Sequence, residues 1–150
     1  MNLNELRDKI HVNALQKGFN DDWQTAFKKT SSMEVQKTLT HAFFSQRIAL
    51  IHSELSEALE ADRVNWYTDY NSFNELSNGS TPCVLIKGKE TENFIYLFER
   101  FVKNSVEDEL ADVIIRVLDL CGSLNIDIEK HIEINMKYNE LRKYKHGKEY

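Results

Sequence analysis

The chain has 150 residues, the size of one ordinary domain with a real core. Charged residues make up 29%, and no apolar run approaches the roughly 20 residues that cross a bilayer, which excludes a membrane-spanning chain. The net charge of −5 argues against binding a nucleic-acid polymer, although Lys and Arg gather in the closing stretch KYNELRKYKHGKEY.

The opening MNLNELRDKI is polar and amphipathic, with no apolar segment of a signal peptide. Cys83 and Cys121 make no disulfide framework, so a reducing, cytoplasmic setting is expected. One proline and five glycines lean towards helices, and the fold class expected is all-α. Leu3, Leu6, Ile10 and Ala14 recur at helical spacing, with Gly18 as the stop. Asn20, Asp21, Asp22 and Trp23 read as a polar stretch, and Ser31 and Ser32 as caps of a long helix from about Met33 to Asp62. Residues 65 to 90 read as irregular and aromatic-rich, with a short strand at Cys83, Val84, Leu85 and Ile86. Helical pattern returns from Glu90 to Val102. Ser105 then caps a helix that Gly122 ends, and Asp127 caps a last one to about Tyr144.

Two helices each carry acids three residues apart, Glu54 with Glu57 and Glu109 with Asp112, which puts each pair on one face. Spacing alone is weak, since Glu5 and Asp8 share it. Position on the helix says more. At roughly 100° per residue, Glu54 falls among Phe43, Leu50, Ile51, Ala58 and Ala61. Around Glu109 and Asp112, the residues Val106, Leu110, Val113, Ile114, Ile115, Val117, Leu118 and Leu120 predict a helix buried nearly all round. Glu109, Asp112, Arg116 and Asp119 nevertheless run down it as a charged stripe. Buried carboxylates need a counter-charge. A hard divalent cation with oxygen ligands supplies one; the alternative is structural pairing with Arg47, Arg116 or lysines.

These residues carry a resemblance. Glu54-Leu-Ser-Glu57 and Glu109-Leu-Ala-Asp112 resemble the E-x-x-E and E-x-x-D motifs of the MazG-like, all-α nucleoside-triphosphate pyrophosphohydrolases. The flanking IHSELSEALEADR, the run from VEDELADVIIRVLDL to KYKHGKEY, and the opening IHVNALQKGF are similar too. The resemblance implies a single domain over 1–150, with a core of four to five helices and an insertion over about 65–104. It implies Mg²⁺-dependent hydrolysis of an NTP or dNTP to the monophosphate and pyrophosphate, Mn²⁺ substituting. Glu54, Glu57, Glu109 and Asp112 become the metal ligands and catalytic acids. The core would be completed in a homodimer or homotetramer.

On the substrate side, Asn135-x-Lys137-Tyr138 is similar to a family segment that contacts phosphates, with Asn139 and Arg142 nearby. The family's arginine falls four residues after the lysine, where this chain has Leu141 and places Arg142 one later. His11 on the first helix either touches substrate or is a core-edge histidine. Trp66, Tyr67, Tyr70 and Phe73 either stack on a base or form a local mini-core. His52 reads as a neighbour of the acids rather than a member, and Lys145 and His146 as tail residues that touch phosphate or are solvated. Cys121 reads as packing. A ferritin-like oxidative centre wants Glu-x-x-His on two helices, and only Asp8 and His11 show an acid with that spacing. The remaining alternative is a non-catalytic helical module that binds nucleotides or another protein.

Overall fold

The computed structural model describes residues 1–77 and 89–143. Among these residues the chain is all helical, with seven helices and no strand, more than the four to five expected for the core. The strand expected at residues 83–86 and the tail with Tyr144, Lys145 and His146 lie outside the described residues. The chain groups into two compact units, Met1–Phe44 with Val117–Tyr150, and Ser45–Arg116.

In the first unit, α1 (Leu3–Gln16) starts from a capping box. The Asn2 side chain accepts the Glu5 amide at 2.8 Å, and the Glu5 carboxylate accepts the Asn2 amide at 3.0 Å. It ends where expected. Gly18 takes φ +78°, so that Gly18 N–H donates to Leu15 O and Phe19 N–H to Ala14 O, the paired bonds of a glycine C-cap. The next stretch corrects the sequence reading. Asn20 to Trp23 opens a helix, α2 (Asp21–Lys28), rather than a polar connector. Asp21 and Asp22 in its first turn complement the helix dipole, and Trp23 meets Phe43 of α3 (Met33–Arg63) edge-on at 5.5 Å. Ser32 caps α3, accepting the Val35 amide at 3.4 Å.

The last helix, α7 (Ile128–Glu140), is capped by Asp127, which accepts the Lys130 amide at 3.1 Å. It packs against α1, where Asn4 Nδ2 donates to Asp127 at 2.8 Å and the Asn4 amide to Glu129 at 3.2 Å. Residues 131–140 are exposed throughout.

The second unit holds the rest of α3, then α4 (Tyr70–Ser77), α5 (Glu90–Phe101) and the first turns of α6 (Val106–Ser123). The irregular stretch expected over 65–90 therefore contains a helix. Asp69 caps it, accepting the Ser72 amide at 3.0 Å, and Phe73 packs edge-on against Phe94 of α5 at 6.1 Å. Residues 66–69 are strapped to the junction of α5 and α6. Trp66 Nε1 donates to Lys103 O at 3.0 Å, and the Thr68 amide donates to Glu107 at 2.9 Å. The Thr68 and Ser105 hydroxyls lie 2.6 Å apart. Ser105, fully buried, also accepts the Asp108 amide at 3.2 Å, the N-cap expected from sequence.

Gly122 does not end α6, which continues to Ser123; the left-handed residue is Asn125, with φ 52°. Asn65 does the same after α3, at φ 56°. Asparagine tolerates this conformation better than other non-glycine residues. A chain poor in glycine thus still closes its helices with the same paired bonds, Trp66 N–H to Ala61 O and Ile126 N–H to Cys121 O.

Candidate metal centre

The second unit brings three of the four expected acids together. One carboxylate oxygen from each of Glu54, Glu109 and Asp112 lies within 4.8 Å of the others. Helical spacing accounts for the arrangement. Glu54 stands on the α3 face that carries Ala58 and Ala61, all three buried, while Glu109 and Asp112 are one turn apart on α6. Glu54 and Glu109 are only 6% and 4% exposed. The position of α6 is fixed by its Ser105 cap and by the strap through Thr68. Glu109 also falls in its first turn, where the helix dipole favours negative charge.

The electrostatics are strained in one direction. Burial, a hydrogen bond with Glu54 and the charges of Glu57, Glu54 and Asp108 together push Glu109 up to about 7. Burial also raises Asp112, reinforced by Asp108, Glu54 and Glu57, with Arg116 pulling the other way. Glu57 stands outside the convergent set. It is exposed and accepts the Ser53 hydroxyl at 3.2 Å, yet its charge still reaches Glu109. Arg116 forms an ion pair with Glu54, so part of the salt-bridge alternative is real. It leaves Glu109 short of compensation, since the main influences on that group all raise it.

The donor set suits a hard divalent ion. Ligand oxygens on opposite sides of a Mg²⁺ ion sit about 4.2 Å apart, and Ca²⁺ takes wider cages, so a span of 4.8 Å needs only a small contraction. The carboxylates offer oxygen alone, with no nitrogen or sulfur donor in the set.

The substrate-side candidates all belong to the first unit. His11 is partly buried, with Nδ1 2.8 Å from Asp119 Oδ1 and 3.4 Å from Ser123 Oγ. It lines a cleft of about 290 Å³ with Trp23, Phe27 and Phe43. Asn135 donates back to its own helix at His131 O, Arg142 lies 5.6 Å from the Tyr138 ring and 3.5 Å from Asn139, and Lys137 is exposed.

Phe73 packs on Phe94, Trp66 donates to Lys103 O, Tyr67 donates to Asp62 at 2.5 Å, and Tyr70 is exposed. Cys121 is buried, and burial raises its thiol, as expected of a packing residue. α6 departs from expectation on its outer side: Leu110, Ile114 and Ile115 are 45%, 56% and 44% exposed in the single chain. The lining of the cleft was missed in the sequence, where the spacing of Trp23 and Phe27 was its one signal.

No protein-family model matches the chain, and comparison with curated proteins and with solved structures gives no match either.

Proposed function

We propose that the chain is a Mg²⁺-dependent nucleoside-triphosphate pyrophosphohydrolase, converting an NTP or dNTP to the monophosphate and pyrophosphate. The observation that carries this reading is the convergence of Glu54, Glu109 and Asp112, two of them buried, with Glu109 pushed up to about 7 by burial and by its acidic neighbours.

Glu54, Glu109 and Asp112 would hold the ion, with Glu57 one helical turn from Glu54 and able to join by a change of rotamer. When bound, such an ion offsets carboxylate charge, orients a phosphate chain and lowers the pKa of a bound water. Arg116, paired with Glu54, holds that carboxylate in place. Lys137 and Arg142 are the cations expected from sequence to meet phosphates, and His11 stands on a wall of aromatic rings suited to a flat ligand. The exposed Leu110, Ile114 and Ile115 suit burial between copies in a homodimer or homotetramer.

The test is incubation of the purified protein with each NTP and dNTP plus Mg²⁺, measuring pyrophosphate and monophosphate. Orthophosphate with diphosphate would move the cleavage site. No conversion of any nucleotide would sink the enzymatic reading in favour of a structural one, in which Arg116 and Glu54 pair and no metal enters.

A further inference from the structure

The charged stripe of α6 holds one carboxylate that metal chemistry leaves unused. Asp119 is 8% exposed, and its Oδ1 lies 2.8 Å from Nδ1 of His11. Ser123 Oγ stands 3.4 Å from the same nitrogen. Gly122 completes the seat, because a Cβ there would come within 2.6 Å of His11 Cβ and 2.8 Å of Cγ. Glycine inside a helix is unfavourable on its own account, and the close approach of the imidazole explains its presence. Three residues near the end of one helix therefore fix both the position of the ring and the nitrogen that is engaged.

The chemistry of that contact sets the other nitrogen. A carboxylate only accepts hydrogen bonds. The neutral imidazole must then carry its proton on Nδ1, which makes Nε2 an acceptor. Among the described residues, the hydrogen bonds of His11 all run through Nδ1. His11 also lines the cleft of about 290 Å³ whose other walls include Trp23, Phe27, Phe43, Gln24 and Thr40. That volume lies just below the usual range for small-molecule sites and is enough for one flat ring system. Aromatic walls favour a planar ligand, and the held acceptor on His11 favours one with a donor on its edge.

We infer that Asp119 is a positioning residue: by fixing the tautomer of His11, it makes the cleft select planar heteroaromatic rings that present an N–H donor. That the ring is a nucleobase rests on the function proposed above; the tautomer of His11 does not. The selectivity is of a kind that hydrogen-bonding sites achieve and apolar pockets do not, since a ring lacking the donor leaves a held acceptor unpaired.

The experiment uses the full chain without metal, titrated calorimetrically with cytidine, adenosine and the analogues of each in which hydrogen replaces the amino group. The amino nucleosides are expected to bind about tenfold more tightly than their analogues, the worth of one hydrogen bond. In Asp119→Asn the ratio is expected to fall towards one, because an amide can donate to Nδ1 as well as accept and so frees the other tautomer. Nitrogen-15 NMR of His11 in the unmodified protein reads the same point without any variant: Nε2 should carry the shift of an unprotonated ring nitrogen in the neutral form. Equal affinity within each pair, no binding of any of the four compounds, or a neutral ring protonated on Nε2 would each overturn the inference. Triphosphate hydrolysis with no discrimination among nucleosides defeats this inference alone. Discrimination without hydrolysis defeats the enzymatic reading alone.

Discussion

One helix delivers buried carboxylates into two different settings. In the second unit, Glu109 of α6 faces Glu54, with the charges of Glu57 and Asp108 adding to the repulsion. In the first unit, Asp119 of the same helix faces an imidazole that can donate to it at 2.8 Å. The two acids are almost equally buried, 4% and 8% exposed, so burial is not what separates them. The difference lies in the partner. An acid that meets a donor is satisfied by the protein alone, whereas acids that meet each other are satisfied by protons or by a cation brought from outside. The first arrangement positions a ring; the second carries the charge that the proposed cation would balance.

The largest effect that would break this comparison is on catalysis. Glu109→Gln or Asp112→Asn should lower Mg²⁺-dependent pyrophosphate release roughly 100- to 1,000-fold, since the ion and its phosphate ligands lose an anchor. Steady-state assays across Mg²⁺ concentrations check it, and activity within a few-fold of the unmodified protein would take these acids out of the reaction. Next in size is thermal stability. Mg²⁺ at about 100 times its dissociation constant should stabilise the folded chain by about 2.7 kcal/mol, a rise in melting temperature of roughly 5–10 °C for a chain of this length. The rise should disappear in Glu109→Gln. A shift that survives in that variant would mean that Mg²⁺ binds elsewhere.

A third measurement separates the two settings by sign. Denaturant unfolding without metal should show Asp119→Ala losing about 1–3 kcal/mol, the cost of leaving a buried hydrogen-bonding group without its partner. Glu109→Gln should go the other way and gain on the order of 1 kcal/mol, because it removes a repelled charge while keeping the shape. Loss in both variants would show that Glu109 is held as firmly by its neighbours as Asp119 is by His11.

The sequence made part of this visible. The acid pairs were legible because three-residue spacing and apolar flanks are both properties of a single helix, and so were the caps at Ser105 and Asp127. Neither α2 nor α4 was legible. Each is eight residues long with a polar first turn, and so few apolar positions give periodicity little to repeat. The contact of His11 with Asp119 joins residues 108 apart, and no pattern within either helix states which helix it will meet. The exposed Leu110, Ile114 and Ile115 mark the same limit. An apolar face shows that a surface favours being covered, without showing by what. Glu57 falls outside the set for a related reason: spacing fixes the face of a helix, while the rotamer and the local Ser53 hydroxyl decide where the carboxylate ends.

The smallest effect, and the most direct on the acid set itself, is the pH dependence of stability without metal. Glu109 sits at about 7 in the folded chain against an ordinary 4.5, so between those values the folded state holds more protons than the unfolded one. Stability therefore falls as pH rises from about 4.5 to about 7 and levels off above, the reverse of the usual salt-bridged carboxylate. Asp112, raised for the same main reason, adds to the slope in the same direction. Thermal melts across this range should show a decline of a few degrees that Glu109→Gln reduces. Added Mg²⁺ should cancel it at the upper end, where the ion takes the place of the lost proton. A decline of unchanged size in Glu109→Gln would assign the titration to another group and return Glu109 to the same footing as Asp119, an acid whose partners within the chain suffice.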